Sequence, residues 1–250
     1  MLIALSPLTK VMNSLTNVVL NRFSFLGDLT HLVFPETCVS CSNELSKEEK
    51  SICSICQSEL IETNFHLAKE ATVMDQLFWG RFDVCKAYSY LFFEKEKSSQ
   101  HVLFSLKYRD NPAIGEYFGK EIAKRLLVMS EFTDVDAFIP APLHPKKAFL
   151  RGYNQSEALA KGMSDALNIR LDTNSIIRAK HGSTQTKKNR FQRWDNVQST
   201  FKTKKSILHY NHVVLVDDVI TTGSTLESIA QSIREVHPKI KISIVTLAMS

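Results

Sequence analysis

A run of thirteen residues, 213–225, joins two acidic side chains to a loop rich in hydroxyl groups. Four apolar β-formers at 213–216 are typical of a strand buried on both faces, and Asp217 and Asp218 follow at its carboxyl end, where α/β proteins bind ligands. The N–H groups of the Thr-Thr-Gly-Ser-Thr loop and the start of the next predicted helix form an anion site. Two exposed carboxylates beside an anion site suit the vicinal hydroxyls of a sugar, or a divalent cation. One anion next to one diol describes a ribose 5-phosphate.

Two other interpretations of this run are weaker. A capped strand–turn–helix without a ligand would explain Gly223 and Ser224, but it would not explain the acidic pair. A P-loop nucleotide site is disfavoured, because the sequence has no glycine-rich loop that ends in Gly-Lys-Ser/Thr.

Four of the five cysteines fall within nineteen residues, as two Cys-x-x-Cys pairs separated by eleven residues. Each pair on a tight turn presents two thiolates to one ion, and two such turns complete a tetrahedral site. A thioredoxin-type redox pair would need a single Cys-x-x-Cys after a strand, so the spacing favours metal. All-cysteine ligation leaves no open position for catalysis, so we expect a structural Zn2+ bound by Cys38, Cys41, Cys53 and Cys56. Cys85 stands alone in an apolar strand pattern and is expected in the core.

The positive charge of the chain is concentrated in one segment. Residues 178–205 hold nine Lys and Arg against a single acid, Asp195, whereas the formal net charge of all 250 residues is +5. The segment therefore forms a cationic arm on a nearly neutral body, and such an arm attracts a phosphorylated metabolite or nucleic acid. A solvated, flexible loop is the alternative.

Hydrophobic periodicity places these motifs on an α/β scaffold. Strands are predicted at 84–93, 135–139, 213–216 and 240–247. Helices are predicted at 98–107, 113–128 and 224–236, and a further helix is predicted to start in a capping box of Asn154 and Glu157. Strands that alternate with helices indicate a largely parallel sheet.

The beginning of the chain predicts an amphipathic helix over residues 8–26, ended by Gly27. We expect its apolar stripe to dock on the rest of the molecule, with partner binding as the alternative. No stretch approaches the ~20 apolar residues of a membrane span, so we expect no membrane insertion. A basic n-region and a small-x-small cleavage site are missing, so we expect no signal peptide and a cytoplasmic location.

Two further segments carry basic side chains beside predicted elements. A loop after the 135–139 strand carries Lys146 and Lys147 and could hold a second anion, although either lysine could equally be a plain surface charge. Arg151 and Gly152 open the next helix. Glycine permits close approach of the backbone, and arginine is a bidentate phosphate ligand.

Together these motifs resemble one protein family. Residues 213–225 resemble the phosphoribosyl pyrophosphate (PRPP) binding motif of type I phosphoribosyltransferases at every position. From about residue 30 onwards, the chain resembles the ComF/GntX group of phosphoribosyltransferase-like proteins. One departure is His144-Pro145, where many relatives have Ser or Arg before the basic pair. The other shared motifs are Phe34-Pro35 before the cysteine pairs, Leu106-Lys107-Tyr108-Arg109, Arg151-Gly152-Tyr153-Asn154-Gln155, and Thr184-Gln185 with Arg190, Arg193 and Asn196 in the basic arm.

This resemblance implies a fold and a domain organisation. The fold is α/β, a type I phosphoribosyltransferase (Rossmann-like, with a mainly parallel sheet), preceded by a small zinc ribbon. Together with the hydrophobic periodicity of the first residues, the resemblance gives as expected domains the amphipathic N-terminal helix at 1–34, the zinc ribbon at 35–62 and the phosphoribosyltransferase domain at 63–250. Within the last domain, a hood loop at about 181–201 would close over the substrate and exclude water.

The resemblance also implies a reaction and the residues that perform it. The reaction is Mg2+-dependent transfer of the phosphoribosyl group to an acceptor, with release of pyrophosphate. The hydroxyl-rich loop would cradle the 5-phosphate, the acidic pair would hold the ribose hydroxyls, and Arg151, Arg190 and Arg193 would stabilise the departing pyrophosphate. The PRPP-binding set is Asp217, Asp218, Val219, Ile220, Thr221, Thr222, Gly223, Ser224, Thr225, Lys146 and Lys147.

No segment identifies the acceptor, so two hypotheses remain open. The first is a transferase with an unidentified nucleophile. The second is a PRPP-binding accessory protein of the DNA-uptake machinery, the role for which the ComF group is named. In that role the basic arm, Phe191 and Trp194 would contact single-stranded DNA by charge and stacking. The two hypotheses are compatible, and the sequence does not predict an oligomeric state.

Overall fold

A computed structural model describes residues 35–108, 111–178 and 200–250. It divides the chain into two compact units, of which the first ends at Cys53 and the second covers Ser54–Ser250. The helix predicted at 8–26 and most of the basic arm lie outside the described residues, and so do Arg190 and Arg193. In the first unit, residues 35–53 form turns and two isolated β-bridges, which pair Thr37 with Glu44 and Lys50 with Ile52.

The second unit alternates strands with helices, as the hydrophobic pattern predicts. Within the described residues of this unit, short 3-10 turns lie at Phe65–Leu67, Ser130–Phe132 and Lys205–His209. The helices are α1 (Ser54–Ser58), α2 (Val73–Gln76), α3 (Ser98–Tyr108), α4 (Pro112–Leu126), α5 (Pro145–Arg151), α6 (Gln155–Leu167) and α7 (Ser224–Val236). The strands are β1 (Ala87–Phe92), β2 (Ala137–Pro140), β3 (Arg170–Leu171), β4 (Ile176–Arg178), β5 (Phe201–Thr203), β6 (His212–Ile220) and β7 (Lys241–Met249).

The main sheet has the strand order β1-β7-β6-β2-β3, and all of its pairings are parallel. Its carboxyl ends therefore meet at one edge, which is where ligands bind in open α/β sheets. The strands β4 and β5 form a separate antiparallel pair that brackets the basic arm. The predicted parallel α/β sheet is confirmed.

Helices cover both faces of this sheet. The helix α7 buries Leu226, Ile229 and Ile233 against β6 and β7 in one hydrophobic core. On the other face, α4 and α6 pack closely together. A Cβ on Gly119 of α4 would lie 2.2 Å from the carbonyl oxygen of Leu159 in α6, so only glycine allows this approach. Both layers hold the central strand β6 rigidly in place.

Three local predictions are corrected by the structure. The strand predicted at 213–216 continues to Ile220, because Asp217 and Ile220 still pair with β7. The basic loop after β2 is the helix α5, capped by the Nδ1 atom of His144, which accepts the N–H of Lys146 at 3.2 Å. Asn154 does cap α6, but its side chain accepts the N–H of Ser156, two residues ahead, rather than forming the expected box with Glu157.

Cys85 is exposed, which contradicts the prediction of a core residue. The strand β1 begins only at Ala87, so the in–out alternation of a strand does not extend back to Cys85. Among the described helices, none combines the length and apolar character needed to cross a membrane.

Candidate functional site

The carboxyl edge of the sheet contains a cleft of about 170 Å3. It brings together the acidic pair of β6, Thr225 at the start of α7, and side chains from both basic segments. Five of the residues that the sequence analysis assigned to the site line it, namely Lys147, Arg151, Asp217, Asp218 and Thr225. Lys107, Gln155, Ser156 and Arg178 also line it.

The acidic pair is half-buried rather than exposed, which corrects the sequence-based expectation. The Oδ1 atom of Asp217 accepts the hydroxyl of Ser156 at 2.8 Å and the N–H of Asp218 at 2.9 Å. The Nζ atom of Lys107 lies 3.4 Å from Oδ2 of Asp218. The structure thus directs two adjacent carboxylates toward one cleft and gives them a single lysine as an ion-pair partner among the described residues.

This crowding raises the pKa of Asp217 to about 7. Burial is the larger cause, because desolvation disfavours the charged carboxylate, and the neighbouring charge of Asp218 adds to it. The hydrogen bond from Ser156 and the charge of Lys107 act in the opposite direction but are weaker. A ligand that donates hydrogen bonds to these carboxylates would stabilise their charged form, so the raised pKa indicates a binding site.

The loop after β6, residues 221–225, presents the side chains of Thr221, Thr222, Ser224 and Thr225 to solvent. Gly223 caps α7 with a φ of 71°, a left-handed conformation that favours glycine. The N–H groups of the first turn have no intrahelical partner and are available to an anion. Ile220 is a core residue, so its predicted place in the ligand-binding set can involve only its main chain.

The predicted pyrophosphate ligands separate into two groups. Lys147 and Arg151 line the cleft, whereas Lys146 lies on the exposed surface of α5 and is not among the lining residues. Arg151 ends α5 instead of opening the next helix, and its Nη1 atom donates to Oε1 of Gln155 at 2.8 Å. Its guanidinium also lies 5.6 Å from the ring centroid of Tyr108.

Sequence reasoning missed two cations of the cleft. Lys107 stood inside the motif Leu106-Lys107-Tyr108-Arg109, and Arg178 is the first charge of the basic segment, but neither was assigned to the site. Lys107 is 111 residues away from Asp218 in the chain, and only the fold brings them together. Two signals could have identified them. Lys107 belongs to a motif shared with the family, and Arg178 lies at the end of β4.

The four paired cysteines converge as the spacing predicts, and their Sγ atoms all lie within 4.8 Å of one another. The Sγ atoms of Cys41 and Cys53 are 3.8 Å apart. Tetrahedral zinc–sulfur bonds of about 2.3 Å require sulfur atoms about 3.8 Å apart, so the donor set fits such an ion.

Backbone N–H groups also favour the charged, metal-binding form of Cys38 in this cluster. Burial alone would raise the pKa of Cys38, but backbone hydrogen bonds at Cys41, Cys53 and Ser40 outweigh burial and lower it to about 7. The thiolate is the form that binds metal. The four cysteines could therefore hold a metal ion.

Comparison with known proteins assigns this architecture. Residues 154–249 match the model of the phosphoribosyl transferase domain. The chain is 39% identical over 102 residues to Competence protein F of Haemophilus influenzae, a match that covers 40% of this chain and 44% of that protein. It is 26% identical over 215 residues to DNA utilization protein YhgH of Escherichia coli O6:H1, and this match covers 80% of this chain and 91% of that protein. The chain thus spans less than half of Competence protein F and most of YhgH.

Among solved structures, a glutamine PRPP amidotransferase from B. subtilis, complexed with ADP and GMP, matches with 19% identity and a TM-score of 0.39, over 57% of this chain and 30% of that one. The class defined by the parallel sheet and the matched domain is the type I phosphoribosyltransferase fold. Within that class, the chain is similar to Competence protein F and to YhgH, and four cysteines that could hold a metal ion lie on the N-terminal side of the matched domain.

Proposed function

We propose that the cleft at the carboxyl edge binds PRPP and transfers its phosphoribosyl group to an acceptor. One observation carries the proposal: a half-buried carboxylate pair shares a cleft with Lys107, Lys147, Arg151 and Arg178, next to a helix N-terminus with solvent-exposed hydroxyl groups. The carboxylates suit the two hydroxyls of a ribose, and the cations and the helix suit phosphate groups at either end of it. PRPP has this distribution of charge and hydroxyl groups.

The proposed roles combine these positions with the resemblance to type I phosphoribosyltransferases. The N–H groups and hydroxyls of residues 221–225 hold the 5-phosphate, and Asp217 and Asp218 accept hydrogen bonds from the ribose hydroxyls. Arg151 stabilises the negative charge that develops on the departing pyrophosphate, and Arg190 and Arg193 of the basic arm are proposed to join it when the hood closes. Bound Mg2+ supplies charge neutralisation of the pyrophosphate. The chain mainly orients the anomeric carbon and excludes water.

Calorimetric titration with PRPP and Mg2+ tests this proposal, with ribose 5-phosphate and pyrophosphate titrated separately. We expect saturable PRPP binding that requires Mg2+, which would justify a screen of acceptors for pyrophosphate release. No binding to folded, metal-loaded protein would refute the proposal.

We further propose that Cys38, Cys41, Cys53 and Cys56 hold a structural zinc ion. Residues 35–53 bury few apolar side chains, and metal binding stabilises such segments directly. Metal analysis of purified protein should give one equivalent of zinc, with the four thiols unreactive until a chelator is added. Metal-free protein with these thiols freely titratable would contradict the assignment.

A second candidate function is contact with single-stranded DNA. Phe104 and Tyr108 on α3 are 56% and 63% exposed, and their ring centroids lie 4.8 Å apart. Arg151 lies over the Tyr108 ring, so the aromatic pair leads from the surface to the cleft. Exposed aromatic rings beside cations stack on bases and neutralise phosphates, and the names of the relatives concern competence and DNA utilization.

Fluorescence anisotropy of a labelled oligonucleotide at several salt concentrations tests this second candidate. Binding should weaken steeply with salt, and replacement of Phe104 and Tyr108 by Ala should lower the affinity further. Leu127→Ala is a matched control, because Leu127 is similarly exposed at the end of α4. Absence of binding at low salt would remove this candidate.

A further inference from the structure

Arg81 links the loop at residues 221–225 to a distant part of the chain. It lies between α2 and β1, and its Nη1 atom donates to the carbonyl oxygen of Thr222 at 2.5 Å. Its Nε atom donates to Oε2 of Glu227 at 3.0 Å, and its Nη2 atom donates to the same carboxylate oxygen. One guanidinium therefore connects the backbone of the loop to the first turn of α7.

The same segment supports the loop from behind. The ring of Phe78 is 1% exposed, and a Cβ on Gly223 would lie 2.8 Å from its Cε1 atom. The same Cβ would lie 3.4 Å from Nη1 of Arg81. The backbone of the loop thus rests directly on the aromatic ring and the guanidinium.

This support is itself anchored in the sheet. Thr72 and Asp75 form a capping box at the start of α2. Asp75 also accepts the N–H of Ala87 at 2.9 Å and the ammonium of Lys86 at 2.9 Å. Residues 72–81 are therefore held against β1 at one end and against the loop at the other.

The direction of the Thr222 carbonyl determines where the next N–H points. The C=O and N–H of a trans peptide point to opposite sides of the chain. Because Arg81 holds the Thr222 carbonyl, the N–H of Gly223 is directed to the opposite side, away from the guanidinium. A carbonyl that turned the other way would present a partial negative charge to an anion. The donors of Arg81 are engaged by protein acceptors, so this residue acts on the loop rather than on a ligand.

We propose that Arg81 is a positioning residue that holds the 221–225 loop in the conformation that accepts a 5-phosphate, an inference that rests on the proposed function. The consequence is selective. Loss of Arg81 weakens binding of the phosphate at the 5-position, whereas binding of pyrophosphate, which depends on Arg151 and its neighbours, is retained.

Calorimetry on Arg81→Ala, with ribose 5-phosphate and pyrophosphate as separate probes, tests the proposal. We expect ribose 5-phosphate to bind about tenfold more weakly and pyrophosphate to bind as it does to the unaltered chain. Arg234→Ala is the matched control, because Arg234 lies on α7 and, like Arg81, donates to main-chain carbonyls, in its case those of Asp83 and Pro238, away from the loop. A merely structural role would weaken both ligands together, and equal ribose 5-phosphate affinity in Arg81→Ala and the unaltered chain would overturn the proposal.

Hydrogen exchange without ligand separates this inference from the proposed function. The amide of Glu227 bonds to the carbonyl of Gly223 at 2.9 Å, so its exchange should accelerate in Arg81→Ala and not in Arg234→Ala. If the unaltered chain bound neither PRPP nor ribose 5-phosphate, the proposed function would fail, and unchanged exchange at Glu227 would separately refute the positioning role. Should the alanine variant not fold, Arg81→Lys keeps the charge but lacks the fork that joins Thr222 to Glu227. It should show the same selective loss.

Discussion

The two ends of the strand β6 carry similar residue types but opposite electrostatics. At the amino end, His212 is fully buried, with its Nδ1 atom 2.7 Å from Asp134 and its Nε2 atom 2.9 Å from the hydroxyl of Ser243. At the carboxyl end, Asp217 and Asp218 line one cleft side by side, and the charge of Asp218 acts on Asp217. At the amino end both ring nitrogens of His212 have hydrogen-bond partners. At the carboxyl end the two carboxylates repel each other, and a ligand that binds between them could reduce that repulsion.

The pKa values express this difference. Hydrogen bonds from Lys241 and His212 lower the pKa of Asp134 to about 2, whereas burial and Asp218 raise that of Asp217 to about 7.

The hydrogen-bonded series of Ser243, His212 and Asp134 at the amino end resembles a hydrolase triad, but Ser243 is fully buried, so no substrate could reach it. Polar residues of one strand can thus serve stability at one end and binding at the other.

The largest expected effect on stability comes from removing the hydrogen bonds of His212 at the amino end of β6. His212→Ala removes the partner of two polar groups and leaves a cavity, so it should lower the free energy of unfolding by about 2–4 kcal/mol. Chemical denaturation measures this loss. PRPP affinity, measured well below the unfolding transition, should not change. A folded variant with impaired PRPP binding would mean that the two ends are not independent.

A smaller effect of opposite sign is expected at the carboxyl end. Asp217→Asn keeps an acceptor for Ser156 but removes the like-charge repulsion, so it should raise stability at neutral pH by on the order of 1 kcal/mol. Because the pKa of Asp217 is raised in the folded state, its protonated form contributes stability at low pH, and that contribution is lost as pH rises toward about 7. The stability difference between variant and unaltered chain should therefore grow from pH 5 to pH 7. A difference that stayed constant with pH would contradict the raised pKa.

The smallest effect concerns the lysine beside the acidic pair. Lys107 and Asp218 form a partly exposed ion pair, so Lys107→Met should cost about 0.5 kcal/mol of stability and should raise the pKa of Asp217 further. NMR titration of the Asp217 carboxyl measures that shift. Lys161→Met, which removes an exposed ion pair on α6, is the control and should leave Asp217 unchanged.

The sequence predicted the parts of the fold that depend on local patterns. The apolar run at 213–216, the helix at 224–236 and the two Cys-x-x-Cys pairs each carry their signal within a few residues, and the structure places them accordingly. Arg81 could not be found in this way, because its partner Glu227 is 146 residues distant. The error at Cys85 has the same origin, since only strand pairing decides where the alternation begins.

The central claim is that the acidic pair binds the ribose of PRPP, and a paired calorimetric titration tests it most directly. The double variant Asp217→Asn/Asp218→Asn and the single variant Asp134→Asn are each titrated with PRPP and Mg2+. We predict that the double variant stays folded and loses PRPP affinity by about 100-fold or more, while Asp134→Asn binds as the unaltered chain does. PRPP binding by the double variant with unaltered affinity would contradict the account.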